Sequence, residues 1–322
     1  MTSNGSTNQT LCDPISRSSL PGFIFIYSLV FLAGMILNSF TLWFHFCRAE
    51  INNSKSWMIY LKNLTIADFL LCLGLPLRIA DYAGSHDTVH QFYCTFGAAI
   101  FYLNMYTSIL LMGYIAASRY MRIFQPSRAS FLMTVPAARL ISAITWGFFL
   151  LPIIVYIILT LDTSKPPPAS TTCDVLLSGP AKLFYTVIHA SAFVIFLLVL
   201  GSLVFFYYST SRRVQQVQQR RLGSSNSNKL LKSRRNMLVL GGVFCVCFVP
   251  YHLVRLPYIV LRGQCSVVLY YLKEATVLIS VFNICLDPLI YVFLCKDFRA
   301  QLNLLQMFST PKDSSSISSE VM

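Results

Sequence analysis

The chain has 322 residues, of which 55% are hydrophobic, 14% aromatic and only 11% charged. Soluble domains carry roughly 25% charged residues, so a chain this poor in charge cannot cover its own surface in water, and much of that surface must face lipid. The net charge of +13 would suit nucleic acid, but the placement of the charges along the chain points to anionic lipid and a cytosolic partner, and nucleic acid is not needed to account for them.

A lipid-spanning helix needs ~20 mostly apolar residues. Seven stretches qualify, at about 20–47, 57–81, 93–118, 137–161, 183–208, 236–261 and 267–294. The first lacks a basic flank before it and is too long for a cleaved leader, so it is read as a span. Pro76, Pro152, Pro250, Pro257 and Pro288 fall inside spans. Each removes a backbone donor, and neighbouring helices or waters must satisfy the freed carbonyl. Segment 209–235 is rich in Gln, Ser and Arg and reads as a mobile basic loop. After Leu294, Phe298, Leu302 and Leu305 fall on one helical face, which predicts a short amphipathic helix parallel to the membrane. The expected fold is all-α: a tail over 1–19, a seven-transmembrane helix bundle over 20–294, and the membrane-parallel helix with a disordered Ser-rich tail over 295–322. No internal repeat is visible, which argues against repeat-built transporters.

Of the 25 Lys and Arg, seventeen fall on one side of the membrane and four on the other. The basic side is cytoplasmic by the positive-inside rule. An odd number of spans then leaves the N-terminus extracellular, in a multi-pass protein of the plasma membrane. Asn4 and Asn8 stand in glycosylation sequons within that tail. Four cysteines lie on the oxidising side, Cys12, Cys94, Cys173 and Cys265, and allow three pairings. One of these joins Cys94, at the top of span three, to Cys173 in the long second outer loop, and leaves Cys12 to clip the tail to Cys265. We expect Cys94–Cys173, because span three must be tethered to the long loop to shape a site between them. The other six cysteines have no accompanying His/Cys cluster and read as packing thiols rather than metal ligands.

Short motifs follow one another along the spans: Asn38 in the first, Leu64-Thr-Ile-Ala-Asp68 in the second, Ser118-Arg119-Tyr120 closing the third and Trp146 in the fourth. Cys247-Phe248-Val249-Pro250 lies in the sixth and Asp287-Pro288-Leu289-Ile290-Tyr291 in the seventh. In this order and spacing the chain resembles the rhodopsin-like (class A) G-protein-coupled receptors over nearly its whole length. The stretches Ser56–Asn63, Tyr102–Tyr106, Phe248–Arg255, Lys273–Thr276 and Cys285–Tyr291 are most similar to the receptors for ADP and UDP-sugars and their orphan relatives. Platelet-activating-factor and lysophosphatidylserine receptors look somewhat similar too.

The resemblance implies an extracellular anionic ligand, nucleotide or nucleotide-sugar-like, and activation of a heterotrimeric G protein of the inhibitory class. A lysophospholipid or platelet-activating-factor-like ligand, or a weakly coupling decoy, is the alternative. Activation and coupling would run through Arg119, Tyr120, Phe248, Pro250, Asp287, Pro288 and Tyr291. Arrestin and receptor kinases would meet the Ser-rich tail, and membrane lipid the inner leaflet helix.

Ionisable residues inside a membrane are costly and so point to function. Arg78, His252, Arg255 and Lys273 fall in the outer halves of their spans, and Tyr102 and Tyr106 lie one turn apart in span three. Together they make a cationic, aromatic-walled ligand site suited to phosphate or carboxylate. The bland counter-reading pairs Arg78 with Asp81 and Lys273 with Glu274. Deeper in the membrane, the carboxylates Asp68 and Asp287 sit with Asn104, Ser108 and Asn283. Oxygen-only ligation suits a hard cation, and the resemblance implies an allosteric sodium ion as the one candidate cofactor; the alternative is a hydrogen-bonded network with one Asp protonated. No catalytic triad, zinc motif or phosphate loop is found, so the chain is not read as an enzyme. A transporter or channel would share the buried charges but not the motif series.

Three positions depart from the family pattern: Ser118 replaces the acid before the span-three Arg, Phe248 replaces the span-six Trp, and the first outer loop lacks its usual Trp. Without an acid beside it, Arg119 is expected to be held less firmly at rest, which raises basal signalling relative to a Ser118→Asp variant.

Overall fold

The computed structural model describes residues 21–47, 55–84, 87–124, 134–161, 173, 179–219, 224–260, 267–295 and 298–300. Among them are seven helices long and apolar enough to cross a membrane. Spans one and two are Pro21–Cys47 and Ser56–Tyr82. Span three runs as Asp87–Phe92, one π-helical turn at Tyr93–Gly97, and Ala98–Phe124. Span four is Val135–Leu161, span five Gly179–Gln219 and span six Ser224–Val260. Span seven is Val267–Val281 continued by Asn283–Leu294. The described residues are all-helical or in turns, as the uninterrupted apolar runs require, because a helix satisfies every backbone group internally.

Burial sorts the spans. In the most apolar stretch of span three 72% of residues are buried, against 22% in spans one and four. Spans two, three and seven therefore form the centre. Phe25, Leu32 and Ile36 of span one and Phe148, Leu151 and Ile158 of span four turn outward, onto the face a bilayer would cover.

Lipid removes the hydrophobic drive between helices, so association depends on close packing and interhelical hydrogen bonds. Both are present. A Cβ on Gly34 would come within 2.8 Å of Ile284 Cδ1 and 3.0 Å of Cys72 Sγ, so at this glycine span one approaches spans two and seven so closely that any larger residue would have to push the Ile284 side chain aside. Trp146 Nε1 donates to Asn63 Oδ1 at 3.0 Å and ties span four to span two. Span seven breaks at Phe282, whose N–H is shared between the carbonyls of Leu278 (3.3 Å) and Ile279 (3.2 Å). Pro288 offers no N–H to the carbonyl of Ile284 four residues back, and Asn38 Nδ2 of span one donates to that carbonyl at 2.8 Å instead.

One expectation is corrected. Segment 209–235 is not a loop throughout: span five stays helical to Gln219 and span six begins at Ser224. No Gly or Pro occurs between Ser202 and Leu222, so nothing in the sequence stops the helix. Thr210 Oγ1 donates to Met237 Sδ at 3.3 Å, holding the two extensions together. Beyond span seven, residues 298–300 are helical and Phe298 packs on Phe44 at 5.1 Å between ring centroids. The rest of the expected membrane-parallel helix, the Ser-rich tail and the tail over 1–19 lie outside the described residues.

Candidate functional site

At one end of the bundle, Cys94 at the start of span three is joined to Cys173, with Cα atoms 5.3 Å apart. Cys12, Cys265, Asn4 and Asn8 lie outside the described residues. The expected ligand-binding side chains gather at this end in two groups.

The first group spans helices three, five and six. Tyr102 and Tyr106 stack at 6.3 Å with an interplanar angle of 14°. Arg255 reaches across from span six, donating from Nη2 to the Tyr102 hydroxyl at 2.9 Å. Its guanidinium lies 5.4 Å from the ring centroids of both Tyr185 and Tyr258. Tyr106 and His189 share a hydrogen bond of 3.2 Å. His252 is buried more deeply. Its Nδ1 donates to the carbonyl of Phe248 at 2.8 Å and its ring stacks on Phe196 at 3.9 Å. Its Nε2 makes no hydrogen bond among the described residues.

The second group joins helices two, three and seven. Glu274 accepts from Arg78 at 2.6 Å and from Lys273 at 2.5 Å, and the Tyr82 hydroxyl bonds the same carboxylate. Arg78 also donates to the hydroxyls of Tyr93 and, at 2.9 Å, of Tyr82. The Lys273–Glu274 pair of the counter-reading forms. Arg78 instead crosses to span seven, and Asp81 takes His90 at 2.7 Å. Lys273 Nζ lies 5.1 Å from the Tyr258 ring centroid, so Tyr258 touches a cation from each group.

Sequence reasoning missed Tyr185, His189 and Tyr258. A signal for two of them existed: Tyr185 and His189 stand four residues apart, on one face of span five, and an imidazole in mid-span is costly unless used.

In mid-bundle, Asn104 Nδ2 donates to Asp68 Oδ1 at 2.9 Å, and Asn283 Nδ2 reaches the same oxygen at 3.4 Å and Asn104 Oδ1 at 3.3 Å. Asp68 Oδ2, both oxygens of Asp287, Ser108 Oγ and Asn283 Oδ1 are buried with no hydrogen-bond partner among the described residues. Five oxygens left open around two carboxyls are a donor set that fits a hard cation.

At the far end, Tyr291 of span seven bonds Thr65 at 2.5 Å, His45 at 3.0 Å and the carbonyl of Leu61. Phe248 is fully buried against Phe244, with ring centroids 5.4 Å apart. Tyr120 stacks on Phe206 at 4.8 Å. Ser118 turns back to the carbonyl of Ile115 at 2.9 Å.

Residues 37–291 match the family model described as 7 transmembrane receptor (rhodopsin family). The chain belongs to that family. Among curated proteins, this receptor is 36% identical to purinoceptor 14 of Bos taurus, over 86% of the chain and 83% of the relative. It is 32% identical to "G-protein coupled receptor 87" of Mus musculus, over 92% and 82% of the two chains. It is also 32% identical to purinoceptor 13 of Homo sapiens, over 87% and 80%. By homology it is therefore a G-protein-coupled receptor of the purinoceptor type, a multi-pass protein of the plasma membrane and not an enzyme.

Proposed function

We propose that the disulfide end faces outside the cell and binds an anionic, phosphate-bearing ligand of the nucleotide or nucleotide-sugar class, and that the opposite end activates a heterotrimeric G protein of the inhibitory class. Charge asymmetry supports the orientation, since the helix ends, connections and tail opposite the disulfide carry seventeen of the 25 Lys and Arg.

The observation that carries the ligand class is Arg255. The residue is only 7% exposed, and its guanidinium is ringed by Tyr102, Tyr185 and Tyr258 and bonded to the Tyr102 hydroxyl. A planar fork of donors held this way suits a phosphate oxygen pair, and the tyrosine walls suit a flat base or sugar. Lys273 adds a second cation across Tyr258, already half-compensated by Glu274. Tyr106 and His252 line the floor, and Arg78 acts from beneath as a clamp between spans two and seven. For the mid-bundle site, Asp68 and Asp287 would hold a sodium ion with the oxygens of Ser108, Asn283 and Asn104. The ion would supply the positive charge that lets two buried carboxylates coexist.

The test is a screen of nucleotides, nucleotide sugars and lysophospholipids on cells expressing the chain, read by G-protein activation. A nucleotide-class agonist is expected. A hydrogen bond to a charged group contributes roughly 1.5–3 kcal/mol, so Arg255→Ala should then weaken potency at least about tenfold at equal surface expression. A cationic agonist, or an unchanged Arg255→Ala response, would refute the site.

A further inference from the structure

Arg119 ends span three at the coupling end, and the family's usual acid before it is Ser118, whose hydroxyl is engaged with the Ile115 carbonyl at 2.9 Å. None of the described ion pairs involves Arg119. Its Nε and Nη2 are buried and make no hydrogen bond among the described residues. A guanidinium in that position needs another source of negative potential. It has one: its Cζ lies 4.2 Å from the centroid of the Trp57 ring.

Trp57 stands in the first turn of span two, is 5% exposed, and packs in the main apolar core. An ordinary core tryptophan would lie against aliphatic neighbours; this one presents its ring to a cation. Among the aromatic side chains indole is the strongest π acceptor, contact within ≈6 Å is attractive, and desolvation strengthens it. On the span-six side no acid competes, since Lys232, Arg234 and Arg235 are all basic.

We propose that Trp57 is the resting-state partner of Arg119, a positioning residue whose ring replaces the missing acid and holds the arginine against span two, away from a G-protein partner. The proposal rests on the reading that the chain couples to a G protein. Charge-assisted hydrogen bonds are stronger than a ring contact, so an acid at 118 would hold Arg119 more firmly than Trp57 does. The chain thus keeps a weaker latch than its family pattern provides.

Two measurements test this. The first is ligand-free G-protein turnover at matched surface density. Trp57→Leu, which keeps an apolar side chain and loses the ring, should raise turnover about fivefold, a shift of roughly 1 kcal/mol in the two-state ratio. Trp57→Phe should stay within about twofold of wild type. Adding Ser118→Asp to Trp57→Leu should return turnover to the wild-type level or below, which a merely loosened fold would not do. Where any variant turns over G protein, turnover in Trp57→Leu at or below wild type, or no rescue by the acid, overturns the proposal. The second measurement needs no coupling. In purified receptor carrying 5-fluorotryptophan, the Trp57 fluorine resonance, assigned by its loss in Trp57→Phe, should move in Arg119→Gln and in Ser118→Asp, while Trp43 on the outer face of span one stays put. A Trp57 resonance that ignores both substitutions overturns the latch even in a receptor that turns over no G protein. Shifted resonances with no turnover in any variant keep the latch and count instead against coupling.

Discussion

Glu274 balances one negative charge against the cations of Arg78 and Lys273, with Arg78 and Glu274 buried and Lys273 partly so. Removing one member of a buried ion pair costs more than removing both, because the survivor is left charged and uncompensated. Glu274→Gln should therefore lower unfolding stability by about 3 kcal/mol, seen as an earlier thermal transition in detergent micelles. The double variant Glu274→Gln with Arg78→Met should recover part of that loss. Equal transitions for the single and double variants would mean that Arg78 is held by Tyr82 and Tyr93 alone. The same cluster marks the limit of what was legible at this scale. The sequence identified the ionisable residues worth watching, because charge inside an apolar span stands out. It could not say which carboxylate each cation would choose: Asp81 is one turn from Arg78 on the same helix, yet the ion pair crosses to span seven. That choice depends on helix rotation and approach, which no local pattern encodes.

Helices show the same division. Seven apolar runs became seven spans, because the bilayer sets a length and forbids unsatisfied backbone. Interruptions were harder. Pro288 announced a missing donor, but only the folded chain shows that Asn38 supplies it and that span seven breaks six residues earlier, at Phe282. Helix extension was misread in spans five and six, where polar composition suggested a loop while the absence of Gly and Pro allowed helix to continue. The Asn38–Ile284 bond gives a direct prediction. Asn38→Ala strands a buried carbonyl, which costs about 1–3 kcal/mol, and should lower the thermal transition clearly. Pro288→Ala restores an N–H within span seven, so in that background Asn38→Ala should cost about half as much or less. Additive losses in the double variant would show that Asn38 acts by packing against Gly34 and Cys72 rather than by repairing the proline gap.

Across the whole molecule, three polar centres lie along spans two, three and seven: the Glu274 cluster near the disulfide, the Asp68–Asn104–Asn283–Asp287 group in mid-bundle, and the Tyr291 and Arg119 contacts at the far end. In the middle group the open atoms are carboxylate oxygens, both of Asp287 and one of Asp68 among the described residues. Its residues were readable from sequence, since carboxylates in mid-span are rare; the open oxygens were not, because they depend on where the two asparagines spend their donors. Asn104 and Asn283 both turn Nδ2 toward Asp68 and leave Asp287 to another partner. Two arrangements complete that shell, a bound sodium ion or a proton shared by the carboxyls, and thermal unfolding separates them. A ligand that binds only the folded state stabilises it by about 2.7 kcal/mol at a hundredfold excess over its dissociation constant. The transition of purified receptor should therefore rise as sodium replaces N-methylglucamine at constant ionic strength. Asp68→Asn should abolish the rise, and Ser108→Ala should weaken it while leaving the sodium-free transition nearly unchanged. A transition indifferent to sodium in the wild type would assign the group to a protonated hydrogen-bonded network, and Asp68→Asn would then be close to neutral, because its amide can replace the shared proton as a donor to Asp287.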